Sequence, residues 1–269
     1  MHEAQQPIAS DGWVARPSGS WVRRKHHYLD RYCGITATGM KNKWPRRVYL
    51  DVMAGPGLCK IENTGEELPG SPLIALRHEF TDWVFIESDR ASADALAKRA
   101  ATVNPKVRVL QDDWAVLALK GKLDFDNALV VAFVDPTGIQ QVPWDALQRL
   151  LKGNQTIDLL MTIQYAMGIT LNANNYIDSQ AEQTALDQFL GERQWRDWRC
   201  RNSSDFKDQV LARFFQKMEA MQFKGSRQMT VEAGGRPLYR MALFSRHPKA
   251  DEFWQKIIKY DEKGQSELL

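Results

Sequence analysis

The chain has 269 residues, 43% hydrophobic and 26% charged, a composition that supports a buried core and excludes wholesale disorder. Its longest uninterrupted apolar run, Ala128 to Val134, is seven residues, whereas a membrane-spanning helix needs about 20. The formal net charge is +3, but it is unevenly spread: Arg16 to Arg47 holds nine Lys or Arg against one acid, Asp30, a net of +8.

Residues 1–20 are rich in Pro, Ser, Gly and Gln and read as a loose N-terminus; within them, Met1 to Trp13 lacks the basic head and apolar stretch of a signal peptide. Residues 21–47 form a basic N-terminal cap. A helix is predicted over 21–32, with Ser20 as its cap. Trp21, Tyr28, Tyr32 and Trp44 are interleaved with the cap's charges. Positive charge beside stacking surfaces suits nucleic acid, with Arg23, Arg24 and Lys25 as contacts. The same pattern also fits a solvated helix with aromatics on its buried side. Cys33, Cys59 and Cys200 lie far apart. That spacing gives neither a disulfide scaffold nor a Cys-based metal site, so no metal is expected and the expected compartment is a reducing cytoplasm.

A strand–helix rhythm follows. A strand over 47–52 ends in Ala54-Gly55-Pro56-Gly57, and a loop runs to Gly70. A helix over 71–79 has Ser71 as cap and Pro72 in its first turn. Strands are predicted over 83–87, 107–110, 128–134 and 156–163, and helices over 91–103 and 144–151. Alternation of this kind implies a parallel sheet with helices on both faces. After residue 170 the pattern changes. An insertion over 170–204 is polar and irregular, with Arg193, Arg196, Arg199 and Arg201 around Trp195 and Trp198. An amphipathic helix over 205–222 carries Phe206, Val210, Phe214, Met218 and Met221 as one stripe. Residues 227–232 and 237–245 flank Gly234-Gly235 as a hairpin, and a helix over 251–260 closes the chain. The whole, 1–269, reads as one α/β domain.

In open parallel sheets, ligands bind at the carboxyl ends of the strands. Here those ends hold Asp51 with Ala54-Gly55-Pro56-Gly57, then Glu87, then Asp112-Asp113, then Asp135. Glycines let a ligand approach the backbone closely. The dinucleotide pattern G-x-G-x-x-G fails, because thirteen residues separate Gly57 from Ser71. A P-loop fails for want of G-K-[ST]. An acidic residue before the glycines fits a cationic ligand, and S-adenosylmethionine carries both an ammonium and a sulfonium. Glu87 suits both ribose hydroxyls, and Asp112 or Asp113 suits the adenine amino group. Cys59 has no activating neighbour in sequence beyond Lys60.

The sequence resembles the three-Cys-motif partner (TcmP) family, which has a Rossmann-like class I methyltransferase fold. The resemblance rests on Lys25-His26 with Tyr28-Leu29 and Tyr32, on Tyr49-Leu-Asp-Val-Met-Ala-Gly-Pro-Gly57, and on Gly70-Ser-Pro-Leu-Ile-Ala-Leu76. It continues through Phe85-Ile-Glu87, Phe133-Val-Asp-Pro-Thr-Gly138 with Trp144, and Leu238 to Lys256 with its Ser245-Arg-His-Pro248. It implies a seven-stranded sheet with an antiparallel last strand, and a partner bearing a three-cysteine, radical-SAM-like motif. Class I amino-group methyltransferases place Asp or Asn, then Pro-Pro-aromatic, after the fourth strand, where the acid and a backbone carbonyl hold the acceptor nitrogen. Here Asp135 and Pro136 match, while Thr137 and Gly138 depart. Tyr165 or Trp144 is left to supply a stacking face.

Two functions follow as expectations. One is an S-adenosylmethionine-dependent methyltransferase acting on nucleic acid. Asp51, Ala54, Gly55, Pro56, Gly57, Glu87, Asp112 and Asp113 bind the cofactor, and Asp135 and Pro136 position the acceptor. The other is a non-catalytic, S-adenosylmethionine-binding or scaffold partner of the radical-SAM-like protein. Arg193, Arg196 and Trp198 suit either a nucleic-acid or a protein contact.

Overall fold

The structure, a computed structural model, describes residues 6–225 and 228–260. The elements in chain order are β1 (Arg16–Ser18), α1 (Val22–Gly39), β2 (Arg47–Asp51), β3 (Leu58–Ile61), β4 (Glu67–Pro69), α2 (Ser71–Ala75), β5 (Asp82–Glu87), α3 (Arg90–Val103), β6 (Arg108–Gln111), α4 (Trp114–Leu119) and β7 (Leu129–Val134). They continue with α5 (Trp144–Gly153), β8 (Ile157–Ile163), α6 (Ala173–Ile177), α7 (Ala185–Leu190), α8 (Ser203–Ala220), β9 (Lys224–Gly225), β10 (Met229–Ala233), β11 (Arg236–Ser245) and α9 (Pro248–Ile257). Arg227, where the sequence places the start of the hairpin, lies outside the described residues. Among the described residues no helix is long and apolar enough to cross a membrane.

The described residues divide into two compact units, one of 6–114, 125–133 and 252–260, the other of 115–124 and 134–251. In the first, β2 is parallel to both β5 and β7, and β6 is parallel to β5. Every residue of β2 and β7 is buried, which is why β7 reads as an unbroken apolar run. The register sets Asp51 beside Phe85 on one side and Phe133 on the other. Helix α3 starts at Asp89, whose carboxylate accepts from Ser92 N at 2.8 Å, and it packs on β5 and β6.

Four expectations change in this unit. First, residues 58–70 are not a plain loop: β3 and β4 form an antiparallel hairpin, and β1 pairs β3 in parallel. Second, Ser71 is not a cap. Gly70 is the N-cap of α2, a short helix that ends at Ala75 rather than 79. Third, α1 extends to Gly39, and its N-cap is Trp21, without a side-chain cap from Ser20. Fourth, the described part of the N-terminus is tied down. Ile8 bridges Val14, Ser10 Oγ donates to Glu67, and Arg99 pairs with Asp11 at 2.7 Å.

In the second unit, β11 is antiparallel to β8, β9 and β10. The last long strand is therefore antiparallel, as the resemblance implies. All seven residues of β8 are buried. Helix α8 buries Phe206, Val210, Phe214 and Met218, whereas Met221 is half-buried at its C-cap. Residues 170–204 are more ordered than their polarity suggests. Thr184 and Asp187 form a reciprocal capping box for α7, and Trp195 is buried with its indole donating to Asp187 at 2.8 Å.

Candidate functional site

The acidic strand ends of the first unit meet around the glycine turn. Asp51, at the end of β2, is fully buried. Its carboxylate accepts from the Tyr49 hydroxyl at 3.3 Å and from Met53 N at 3.4 Å. The chain then turns. Ala54 N donates to the Ile86 carbonyl at 2.9 Å, which ties the turn to β5. Gly55 and Gly57 have φ of +65° and +89°, backbone that L side chains rarely adopt. Gly55 N donates to Glu87 Oε2 at 2.8 Å, and Asp89 N donates to Glu87 Oε1 at 2.9 Å. Glu87, half-buried, thus joins the glycine turn to the start of α3. A carboxylate accepts up to about four hydrogen bonds, so each oxygen retains capacity for another donor.

The remaining wall is made by neighbours that the sequence pattern does not mark. The Pro56 carbonyl accepts from Arg99 at 2.6 Å, and the Gly57 carbonyl accepts from Gly70 N at 2.7 Å. A Cβ at Gly55 meets nothing nearer than Arg16 Cδ at 3.9 Å, so this face of the turn is open. Asp112 and Asp113 are exposed and follow directly on Gln111, which pairs with Glu87 across β5 and β6. Asp112 Oδ1 accepts from Asp113 N at 2.8 Å. The structure therefore brings Asp51, Ala54, Gly55, Pro56, Gly57 and Glu87 into one connected turn, with Asp112 and Asp113 on the adjacent strand end.

In the second unit, Asp135 and Pro136 are buried. Thr162 Oγ1 donates to Asp135 Oδ1 at 2.7 Å, and Gln164 Nε2 donates to the Pro136 carbonyl at 3.0 Å. Tyr165 is buried, with Arg240 5.2 Å and Lys207 5.7 Å from its ring centroid. Burial pushes its phenol pKa up, against the opposing charge of Arg240. Neither Thr162 nor Gln164 stood out in the sequence. Both lie on or directly after the all-buried β8, and a polar residue in such a strand is the signal that finds them.

Several cations of the two basic segments are held by partners within the fold. Lys25 is buried and is not presented to a partner. Arg23 pairs with Glu66, and Arg24 is half-buried. Arg47 is buried and donates to the Trp44 and Glu79 carbonyls at 2.6 and 2.9 Å. Arg193 donates to the Glu182 carbonyl, and Arg196 donates to Asp187 at 2.8 Å. Trp198 is half-buried and lines a cavity. Among the described residues no group of three or more His, Cys, Asp or Glu side chains could hold a metal.

Known structures share this architecture. A Legionella pneumophila protein of the family model DUF519 superposes with a TM-score of 0.52 at 12% identity, covering 93% of this chain and 95% of that one. An O-methyltransferase from Bacillus cereus, solved in complex with SAH, gives 0.50 at 13% identity, covering 82% and 80%. The chain has the Rossmann-like, methyltransferase-like fold. No family model matches the sequence, and no curated protein does.

Proposed function

We propose that the protein binds S-adenosylmethionine and transfers its methyl group to an acceptor in nucleic acid. The observation that carries this reading is the Glu87 carboxylate held on the Gly55 N–H, beside an open glycine turn. The residues present fit that ligand. Asp51 gives the turn a buried carboxyl suited to a cationic ligand, and Glu87 retains acceptor capacity for a ribose diol. Asp112 and Asp113 add acceptors on the next strand end. The Bacillus cereus neighbour, solved with SAH, supports the same assignment by fold.

When bound, S-adenosylmethionine supplies a methyl group already activated on a sulfonium. The chain's task is then to bind and orient, which is most of what this transfer requires. Asp135 and Pro136 are assigned to the acceptor. Thr162 fixes the orientation of the Asp135 carboxylate, and Gln164 fixes the Pro136 carbonyl. Arg31 and Lys43 on the N-terminal cap, and Arg199 farther on, are exposed cations for a phosphate backbone. The test is transfer of labelled methyl from S-adenosylmethionine to single- and double-stranded DNA and RNA. Affinity for the acceptor should fall by roughly 0.7–0.9 log units per tenfold rise in salt for each phosphate contacted. A flat salt response removes the nucleic-acid acceptor.

A second reading draws on the departure at Thr137-Gly138. It favours a three-Cys-motif partner that binds S-adenosylmethionine without transferring its methyl and docks on a radical-SAM-like protein. Co-purification of the two chains, with no methyl transfer by either alone, distinguishes it. Either role is proposed for a cytoplasmic protein.

A further inference from the structure

We propose that the second unit carries a nucleobase-binding pocket between the loop after α7 and helix α8. It sharpens the nucleic-acid half of the proposed function and does not rest on the cofactor half. The cavity has a volume of about 380 Å³ and is lined by Glu192, Gln194, Trp198, Gln209, Arg213 and Gln216, among others. That volume lies within the range of small-molecule sites, roughly 300–1,000 Å³. Gln209, Arg213 and Gln216 recur at four- and three-residue spacing on α8 and so share one helix face. Glu192, Gln194 and Trp198 come from the facing loop, which a short 3-10 turn over Gln194–Asp197 shapes.

The chemistry of the walls selects the ligand. Glu192 accepts from Arg213 at 2.6 and 2.7 Å, and Lys217 adds a contact at 3.5 Å. The Arg213 bonds hold its carboxyl below the usual value. The charges lining the cavity are thus engaged with each other, and an ionic ligand gains little there. Three glutamine amides remain beside one indole: Gln194 Oε1 already accepts from Arg193 N at 3.1 Å and Gln209 Nε2 donates to the Arg199 carbonyl at 3.5 Å, so Gln194 brings its amide N–H groups and Gln209 its carbonyl oxygen to a ligand. A flat, uncharged ring with alternating donors and acceptors on its edge matches that set. Glutamine reads base edges in this way, and aromatic side chains stack on bases of any sequence. Arg199 follows Trp198 and is exposed, placed for a phosphate if the base belongs to a strand.

The test is titration of the full chain with adenosine, guanosine, cytidine and thymidine at millimolar concentration, then with short single-stranded DNA. Saturating SAH is present, so that an adenosine site elsewhere stays filled. Indole N–H resonances are followed by NMR, with Trp198 assigned by its absence in Trp198→Phe. The Trp198 resonance should shift with at least one nucleoside. Gln209→Leu should weaken that binding at least about fivefold, the loss of one hydrogen bond. If the base comes from a strand, the oligonucleotide binds more tightly and Arg199→Ala removes the difference. If it comes from a free nucleoside, Arg199→Ala changes nothing. The proposal is overturned if no probe shifts Trp198, or if binding is unchanged in both Trp198→Phe and Gln209→Leu. SAH affinity, read in parallel, shows whether the cofactor site stands independently of that result.

Discussion

Gly55 N donates to Glu87 Oε2 at 2.8 Å, so the glycine turn after β2 is tied to the acidic end of β5. The two glycines of that turn differ in what surrounds them. Gly55→Ala meets open space, and its cost is the left-handed backbone alone, about 1 kcal/mol. Gly57→Ala adds a Cβ 3.1 Å from Leu96 Cδ1 and should cost more, about 2 kcal/mol. Urea denaturation should rank them in that order. Gly55→Ala should nonetheless lower S-adenosylmethionine affinity at least about tenfold, because its methyl projects from the open face. Equal stability losses with unchanged affinity would place the ligand elsewhere.

Arg99 anchors the described N-terminal residues to the glycine turn. It donates to both Asp11 oxygens, to the Val14 carbonyl and to the Pro56 carbonyl. The side chain is 6% exposed. Arg99→Ala should cost about 2 kcal/mol, since it strands the buried Pro56 carbonyl and releases the partly shielded Asp11 and Val14 contacts. Limited proteolysis should then cut within residues 6–18 much faster than in the wild type. Arg99→Lys restores the charge but not the fork, and should rescue only part.

Much of the first unit was legible in the sequence, and the misses share a cause. β2, β5 and β7 announce themselves because burial on both sides demands continuous apolar residues. The β3–β4 hairpin does not, because Leu58-Cys59-Lys60-Ile61 is short and Pro69 sits in its partner strand. Gly65, with φ of +70°, was the available turn signal. The acids at the strand ends were readable by position, but Arg99 was not, because its partners lie more than 40 residues away. The placement of the basic residues was not readable either. Composition counts charges, whereas burial takes in Lys25 and Arg47, and Asp187 holds Arg196.

Asp187 gives a pH signature. Burial raises its carboxyl pKa, but hydrogen bonds from Arg196, Thr184 and Trp195 outweigh that and hold it below the ordinary 3.8. A depressed folded value contributes stability that is complete above the unfolded pKa. That stability is lost as pH falls through the folded one. Wild type should therefore exceed Asp187→Asn in urea midpoint at neutral pH, and the gap should narrow below about pH 4. A gap independent of pH would contradict the charge-assisted role.

Thr162→Val keeps the shape of a buried side chain and deletes the hydroxyl that donates to Asp135. If Asp135 positions the acceptor, turnover should fall about tenfold or more while S-adenosylmethionine affinity holds. A purely structural Thr162 would instead lower the urea midpoint and leave turnover per folded molecule unchanged.

The most direct measurement is calorimetric titration of the purified chain with S-adenosylmethionine, comparing wild type, Glu87→Gln and Glu87→Ala. Glu87→Gln keeps a carbonyl oxygen for the Gly55 N–H and separates turn geometry from ligand contact. The account predicts saturable binding by wild type, weakened at least about tenfold, ~1.4 kcal/mol, in Glu87→Ala. Glu87→Gln should fall between the two. Wild-type binding that neither variant alters would contradict the assignment of Glu87 to the site.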